Sequence, residues 1–118
     1  MIKEAYVSFE VAKLLKEKGF SEITLDSYRA NGQLRGEYKS CNIPCPTHQM
    51  AMKWLREVHN IFIVIEPHMY DYINEKNSSY VTSLWQGDNY YENITSKDYP
   101  AYEEAVEAAL KYTLENLI

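Results

Sequence analysis

Apolar positions recur at helical spacing in three stretches of this 118-residue chain, and in alternating or continuous runs between them. The most informative stretch is residues 43–66, which reads as an amphipathic helix running straight into an apolar strand. Pro44 and Pro46 exclude a helix before them and bias their predecessors to extended backbone. Thr47 then fits the N-cap, its hydroxyl placed to accept from a first-turn amide. Met50, Trp54, Leu55 and Val58 form the predicted apolar stripe with Ala51 beside it, and Lys53, Arg56 and Glu57 fall on the other side. Asn60 suits a left-handed stop, because Asn tolerates positive φ. Residues 61–65 are five consecutive large apolar side chains. A strand with one wet face alternates, so this run predicts burial on both faces, a place in the middle of the sheet and an end at Pro67.

The flanking segments follow the same logic. Ser8 caps a predicted helix to Lys18, with Val11, Leu14 and Leu15 on its buried edge. Gly19 stands where a C′ glycine belongs, with Phe20 at C″ and Leu15 at C3, the contact of a Schellman motif. Residues 22–40 read as a hairpin about Asn31-Gly32, the preferred two-residue type I′ turn. Folding there sets Ala30 against Gln33, Arg29 against Leu34 and Leu25 against Tyr38. One face then carries Ile23, Leu25, Leu34 and Tyr38; the other carries Thr24, Asp26, Arg35, Glu37 and Lys39. Gly36 fits a bulge. Residues 67–78 form a polar connection, 79–86 a second partner strand rich in Tyr, Val, Thr, Leu and Trp, and 87–99 a turn-rich aromatic loop. Pro100 suits the first turn of a last helix to about Asn116. Tyr102, Ala105, Val106, Ala109, Leu110, Thr113, Leu114 and Leu117 mark its apolar face. The predicted order is α-β-β-α-β-β-α: a single α+β domain over residues 1–118, with a four-stranded, mostly antiparallel sheet and packed helices.

Composition changes this picture little. An apolar fraction of 46% and a charged fraction of 25% are those of an ordinary globular domain. No apolar run approaches the ~20 residues of a membrane helix, and no signal-peptide pattern opens the chain, so a cytoplasmic protein with no membrane partner is expected. Charge is uneven. Residues 1–66 hold nine Lys/Arg against eight Asp/Glu, and residues 67–118 hold three against nine. That balance argues against a phosphate-binding surface, so no nucleic acid is expected as a partner.

The candidate chemistry is sparse. Cys41, Cys45 and His48 are the one cluster of metal-ligand types, with His59 or His68 as a fourth ligand for zinc. Their spacing is not the usual Cys-x2-Cys, and reduced cysteines with a surface histidine are the plainer expectation. Cys45 near a helix N-terminus could also act as a nucleophile with His48 as base, but no orienting group is evident. No phosphate-cradling glycine motif, His-Glu-x-x-His or Gly-x-Ser-x-Gly is present. The expectation is therefore a protein that is not an enzyme and needs no cofactor. The unusual feature is aromatic: eleven tyrosines and two tryptophans, with Trp85, Tyr90, Tyr91 and Tyr99 as candidate partner-binding residues.

Residues 46–61 follow the pattern Pro-Thr-x-x-x-Ala-x-Lys-Trp-Leu-Arg-Glu-x-His-x-Ile. This resembles a signature of short uncharacterised proteins carried by phages, prophages and mobile elements of Bacteroides-type gut bacteria. The flanks match too: Leu-Leu-Lys-Glu-Lys-Gly-Phe at residues 14–20, and Tyr-Glu-Glu-Ala-x-Glu-Ala-Ala-Leu at residues 102–110. The resemblance covers most of the chain and implies no activity and no site residues. The reading that follows is a small non-catalytic protein that binds another protein. A homodimeric structural protein, a zinc-binding module and an acidic mimic of DNA are the alternatives.

Overall fold

The structure is a computed structural model that describes residues 2–24, 26–28, 34–35, 43–69 and 78–118. The described residues form an α+β fold in the order α1 (Phe9–Glu17), β1 (Asp26–Tyr28), β2 (Leu34–Arg35), β3 (Ile43–Cys45), α2 (His48–His59), β4 (Ile61–Met69), β5 (Ser78–Gln86), β6 (Asn89–Tyr91), β7 (Asp98–Tyr99) and α3 (Tyr102–Asn116).

The helix ends lie where the local chemistry puts them. Ser8 caps α1 by accepting from the Val11 amide, and Thr47 caps α2 by accepting from the Met50 amide. Asn60 closes α2 in the left-handed region at φ 56°. At the end of α1 the Phe20 amide donates to Leu15 and the Gly19 amide to Lys16, which completes the Schellman motif, and Leu15 and Phe20 are both buried. Gly19 has φ +103°, a conformation that costs an L residue on the order of 1–2 kcal/mol. Gly19→Ala is therefore expected to destabilise the protein by about that much, read as a lower urea midpoint at unchanged slope. The last helix starts two residues after Pro100, and Ala101 at its N-cap offers no side-chain bond.

The single predicted sheet is two sheets. Strands β2-β1-β3 form one, and β4-β5-β6 form the other, with β7 also paired to β5. Every pairing among the described residues is antiparallel. The extended backbone that Pro44 and Pro46 impose becomes β3, which pairs with β1 instead of merely leading into α2. The predicted hairpin register is off by one: Tyr28, not Arg29, faces Leu34. Residues 23–24 precede β1, so strand alternation does not govern them: Ile23, predicted on the apolar face, is 79% exposed, while Thr24 and Ser27 are buried. The polar side chains turn inward because bonds await them. The Thr24 hydroxyl accepts from the Cys45 amide, and the Tyr28 hydroxyl donates to the Val7 carbonyl. The Asn31-Gly32 turn, Gly36 and the Leu25–Tyr38 pair lie outside the described residues.

Among the described residues β4 stands at an edge of its sheet, not in the middle, and it runs through Pro67 to Met69. β5 is central, with β4 on one side and β6 and β7 in succession on the other. Proline is compatible with β4 because an edge strand can spare an amide. Segment 87–99, predicted as loop, supplies two short strands. Gly87 and Asp88 make a two-residue turn between Gln86 and Asn89, with Gly87 at φ +61°.

The core lies between the helices and one face of the β4-β5 sheet. Val11, Ala12 and Leu15 come from α1, Ala51, Trp54 and Leu55 from α2, Val106, Leu110 and Leu114 from α3, and Ile61 and Leu84 from the sheet. The α2 stripe is rotated from its prediction. His48 and Met52 are buried with Ala51, Trp54 and Leu55, whereas Met50 is exposed and Val58 is 59% exposed. α1 and α3 run parallel and are tied along their length. Glu107 accepts from Ser8, Lys111 pairs with Glu10 at 2.8 Å, and Lys18 donates to the Ile118 carbonyl at 2.9 Å. The hydrogen bond and the charge of Glu10 hold the Lys111 ammonium above the ordinary lysine pKa.

Candidate functional site

In an antiparallel sheet, residues directly opposite one another share a face. Phe62 stands opposite Trp85, and Trp85 opposite Tyr90, so the three rings form one row across β4, β5 and β6. The neighbouring row, Ile63, Leu84 and Tyr91, belongs to the opposite face, where Leu84 is fully buried. This explains the unbroken apolar run in β4. Ile61, Ile63 and Ile65 turn toward the helices and the core. Phe62 turns away from it and is 43% exposed, as is Trp85, with Tyr90 at 40%. The apolar side chains of β4 do serve two faces, but the helices among the described residues cover only one.

The row is ordered. The Trp85 and Tyr90 ring centroids are 4.9 Å apart at a 42° tilt. The Tyr90 hydroxyl donates to Glu66 Oε1 at 3.0 Å, which draws that carboxylate toward the rings. Beside the row lies a groove of about 430 Å3 over β5, floored by Val81 and Ser83 and walled by Glu66 and Glu92. Its far end is shaped by the chain leaving and rejoining the sheet edge. The Asn93 amide donates to the Ser83 hydroxyl, the Ile94 amide to the Thr82 carbonyl, and Ser79 holds Asp98 at 3.0 Å.

The four candidate partner-binding residues therefore do not form one patch. Trp85 and Tyr90 share the uncovered face. Tyr91 is exposed but sits at the edge of the other face. Tyr99 is half-buried and pairs with Tyr80, whose ring meets Tyr102 edge-on at 5.8 Å. Sequence reasoning missed Phe62 and Glu66. The signal for Phe62 was its place opposite Trp85, which only a strand register reveals.

The metal-type residues are placed as follows. Cys41 lies outside the described residues. Cys45 is buried, and its thiol approaches the Val7 carbonyl at 3.6 Å. His48 is buried rather than at the surface, because the N-terminal segment packs on it. The His48 amide donates to the Ala5 carbonyl, and its Nε2 lies 3.2 Å from Glu107 Oε1. His59 stands edge-on to Trp54 at 4.8 Å, with its buried Nε2 lacking a partner among the described residues. No group of three or more potential metal ligands occurs among the described residues.

Ser8, His48 and Glu107, residue types common in catalysis, come together in one polar cluster. Their order differs from that of a nucleophile–base pair. There the hydroxyl donates to the imidazole; here Ser8 Oγ donates to the Glu107 carboxylate, and the carboxylate is the shared centre. What this arrangement does is join the start of α1, the start of α2 and α3.

A second apolar groove, of about 320 Å3, runs along α2 between Phe20, Ile23, Met50 and Val58. Its rim carries both signs of charge, with Lys53 and Glu57 3.9 Å apart. No helix among the described residues is long and apolar enough to cross a membrane. No protein-family model, curated protein or solved structure matches the chain.

Proposed function

We propose that the protein is a non-catalytic binding module that docks another protein on the uncovered face of its larger sheet. The observation that carries this reading is the exposed row of Phe62, Trp85 and Tyr90. Three large aromatic side chains side by side on a rigid antiparallel sheet are an expensive surface to leave in water, and ordered aromatic residues are the usual anchors of protein interfaces. A phage or mobile-element protein of this size, the class that residues 46–61 resemble, fits such a role. That motif itself is accounted for by folding: Thr47 caps α2 while Trp54 and Leu55 fill the core.

The acidic-mimic alternative needs one continuous acidic surface. Here Glu66 and Glu92 border the uncovered sheet face, while Glu103, Glu104 and Glu107 line a different groove beside His48 and Tyr6. Glu107 is moreover engaged within the fold. The division favours the docking module.

Site-specific photocrosslinking tests the reading. A benzophenone side chain at position 85 is expected to give one discrete adduct in the lysate of the producing organism. The same group at Glu17, on the exposed side of α1, is expected to give none. An adduct of twice the chain mass would transfer the role to self-association. No adduct at position 85, or the same adducts at both positions, would remove the proposal.

A further inference from the structure

The uncovered face also carries information about what would cover it. Its groove is walled by Glu66 and Glu92, Asp98 lines it while accepting from the Ser79 hydroxyl, and among the described residues no lysine or arginine lines it. Lys97, the nearest cation in sequence, turns to the other side of the sheet edge and lines a groove with Lys111 against α3. The face is thus aromatic on one side and anionic on the other. A second copy of this chain laid against it would set carboxylates against carboxylates, which disfavours self-association there.

The complementary group must be cationic, tolerate partial burial and present a flat apolar surface to rings. An ammonium meets the first demand but is strongly hydrated. A guanidinium meets all three, because it is planar and weakly hydrated, pairs with carboxylates through two parallel bonds and stacks on Trp and Tyr. Trp85 and Tyr90 offer the rings, and Tyr90 holds Glu66 against them.

We propose that the Phe62–Trp85–Tyr90 face binds an extended segment of another protein through an arginine seated between Glu66 and Glu92, with an apolar side chain two residues away, on the same side of the segment, packed on Phe62 and Trp85. This rests on the docking reading above and adds the chemistry of the partner to it.

Peptide titration of the whole protein, followed by amide NMR shifts and by fluorescence, tests the idea. The probe is the blocked peptide Val-Ser-Arg-Ser-Val, whose valines share a side with the arginine when it is extended, compared with the same peptide carrying citrulline, which keeps the shape and removes the charge. The arginine peptide is expected to shift amides of β4, β5 and β6 and to bind about tenfold tighter than the citrulline peptide. The double variant Glu66→Gln/Glu92→Gln is expected to cut that difference to about twofold or less, the remainder coming from Asp98 at the same groove, and an undiminished difference would overturn the seat. Equal binding of both peptides at this face would overturn the arginine seat while leaving apolar docking intact. Shifts elsewhere, or none, would also overturn it, and the docking reading would then be judged by the adduct at position 85 alone.

Discussion

Replacing Phe20 by alanine is expected to lower the unfolding free energy by about 3–4 kcal/mol. Phe20 is buried at the C″ position of α1, where it seals the Schellman turn against Leu15 and meets Trp54 edge-on at 5.5 Å. Truncation removes the ring from the junction of α1 and α2 and leaves a cavity that the backbone-bonded turn cannot collapse to fill. For a chain of this length the loss corresponds to a fall in thermal midpoint of roughly 12–16 °C. Far-UV circular dichroism is the suitable probe, since Trp54 itself changes surroundings in the variant. Ile23→Ala, three residues on but 79% exposed, should stay within about 0.5 kcal/mol of the parent. Similar losses for the two variants would mean that Phe20 is not in the core.

The second large effect is expected at Glu107. Its carboxylate receives the Ser8 amide and hydroxyl and lies 3.2 Å from His48 Nε2, whose side chain is only 7% exposed. Glu107→Leu keeps the bulk and deletes the acceptor. Water can reach Ser8, so the cost concentrates on the buried imidazole, about 2–3 kcal/mol for a stranded polar group that had a charged partner. Adding His48→Leu removes the stranded group, so the double variant should lose clearly less than the sum of the single losses. Strict additivity in urea unfolding would show that the two residues do not act on one another.

What could be read from the sequence was what neighbouring residues decide among themselves. Ser8, Gly19 and Phe20 set both ends of α1, and Thr47 and Asn60 both ends of α2, because caps and left-handed stops act within a few residues. The α+β class followed from the same local signals. Where a side chain faces a distant partner, local periodicity misled. Met50 and Val58 have helical spacing but look outward, and His48 is buried by a segment that ends forty residues earlier. The run 61–65 did mark a strand with two apolar faces, but not whether two layers existed to cover them. The hairpin at Gly87-Asp88 was legible: a glycine at the first turn position, flanked by Trp85 and Tyr90, is a two-residue turn signal, and the polar character of the surrounding segment obscured it. Half of the candidate site, Trp85 and Tyr90, could be named from aromatic content. Phe62 and Glu66 could not, since they join the other two only through the pairing of β4 with β5.

The parallel ties between α1 and α3 span sequence separations of 99 and 100 residues. Contacts so distant are closed late, after more local pairs have formed. On a ribosome adding roughly 5–20 residues per second, Val11, Ala12 and Leu15 emerge several seconds before the helix that completes their burial. For that interval the nascent chain carries an amphipathic helix with nothing on its sticky side, which makes the period of synthesis, rather than the finished fold, the time of greatest exposure to aggregation and to chaperones.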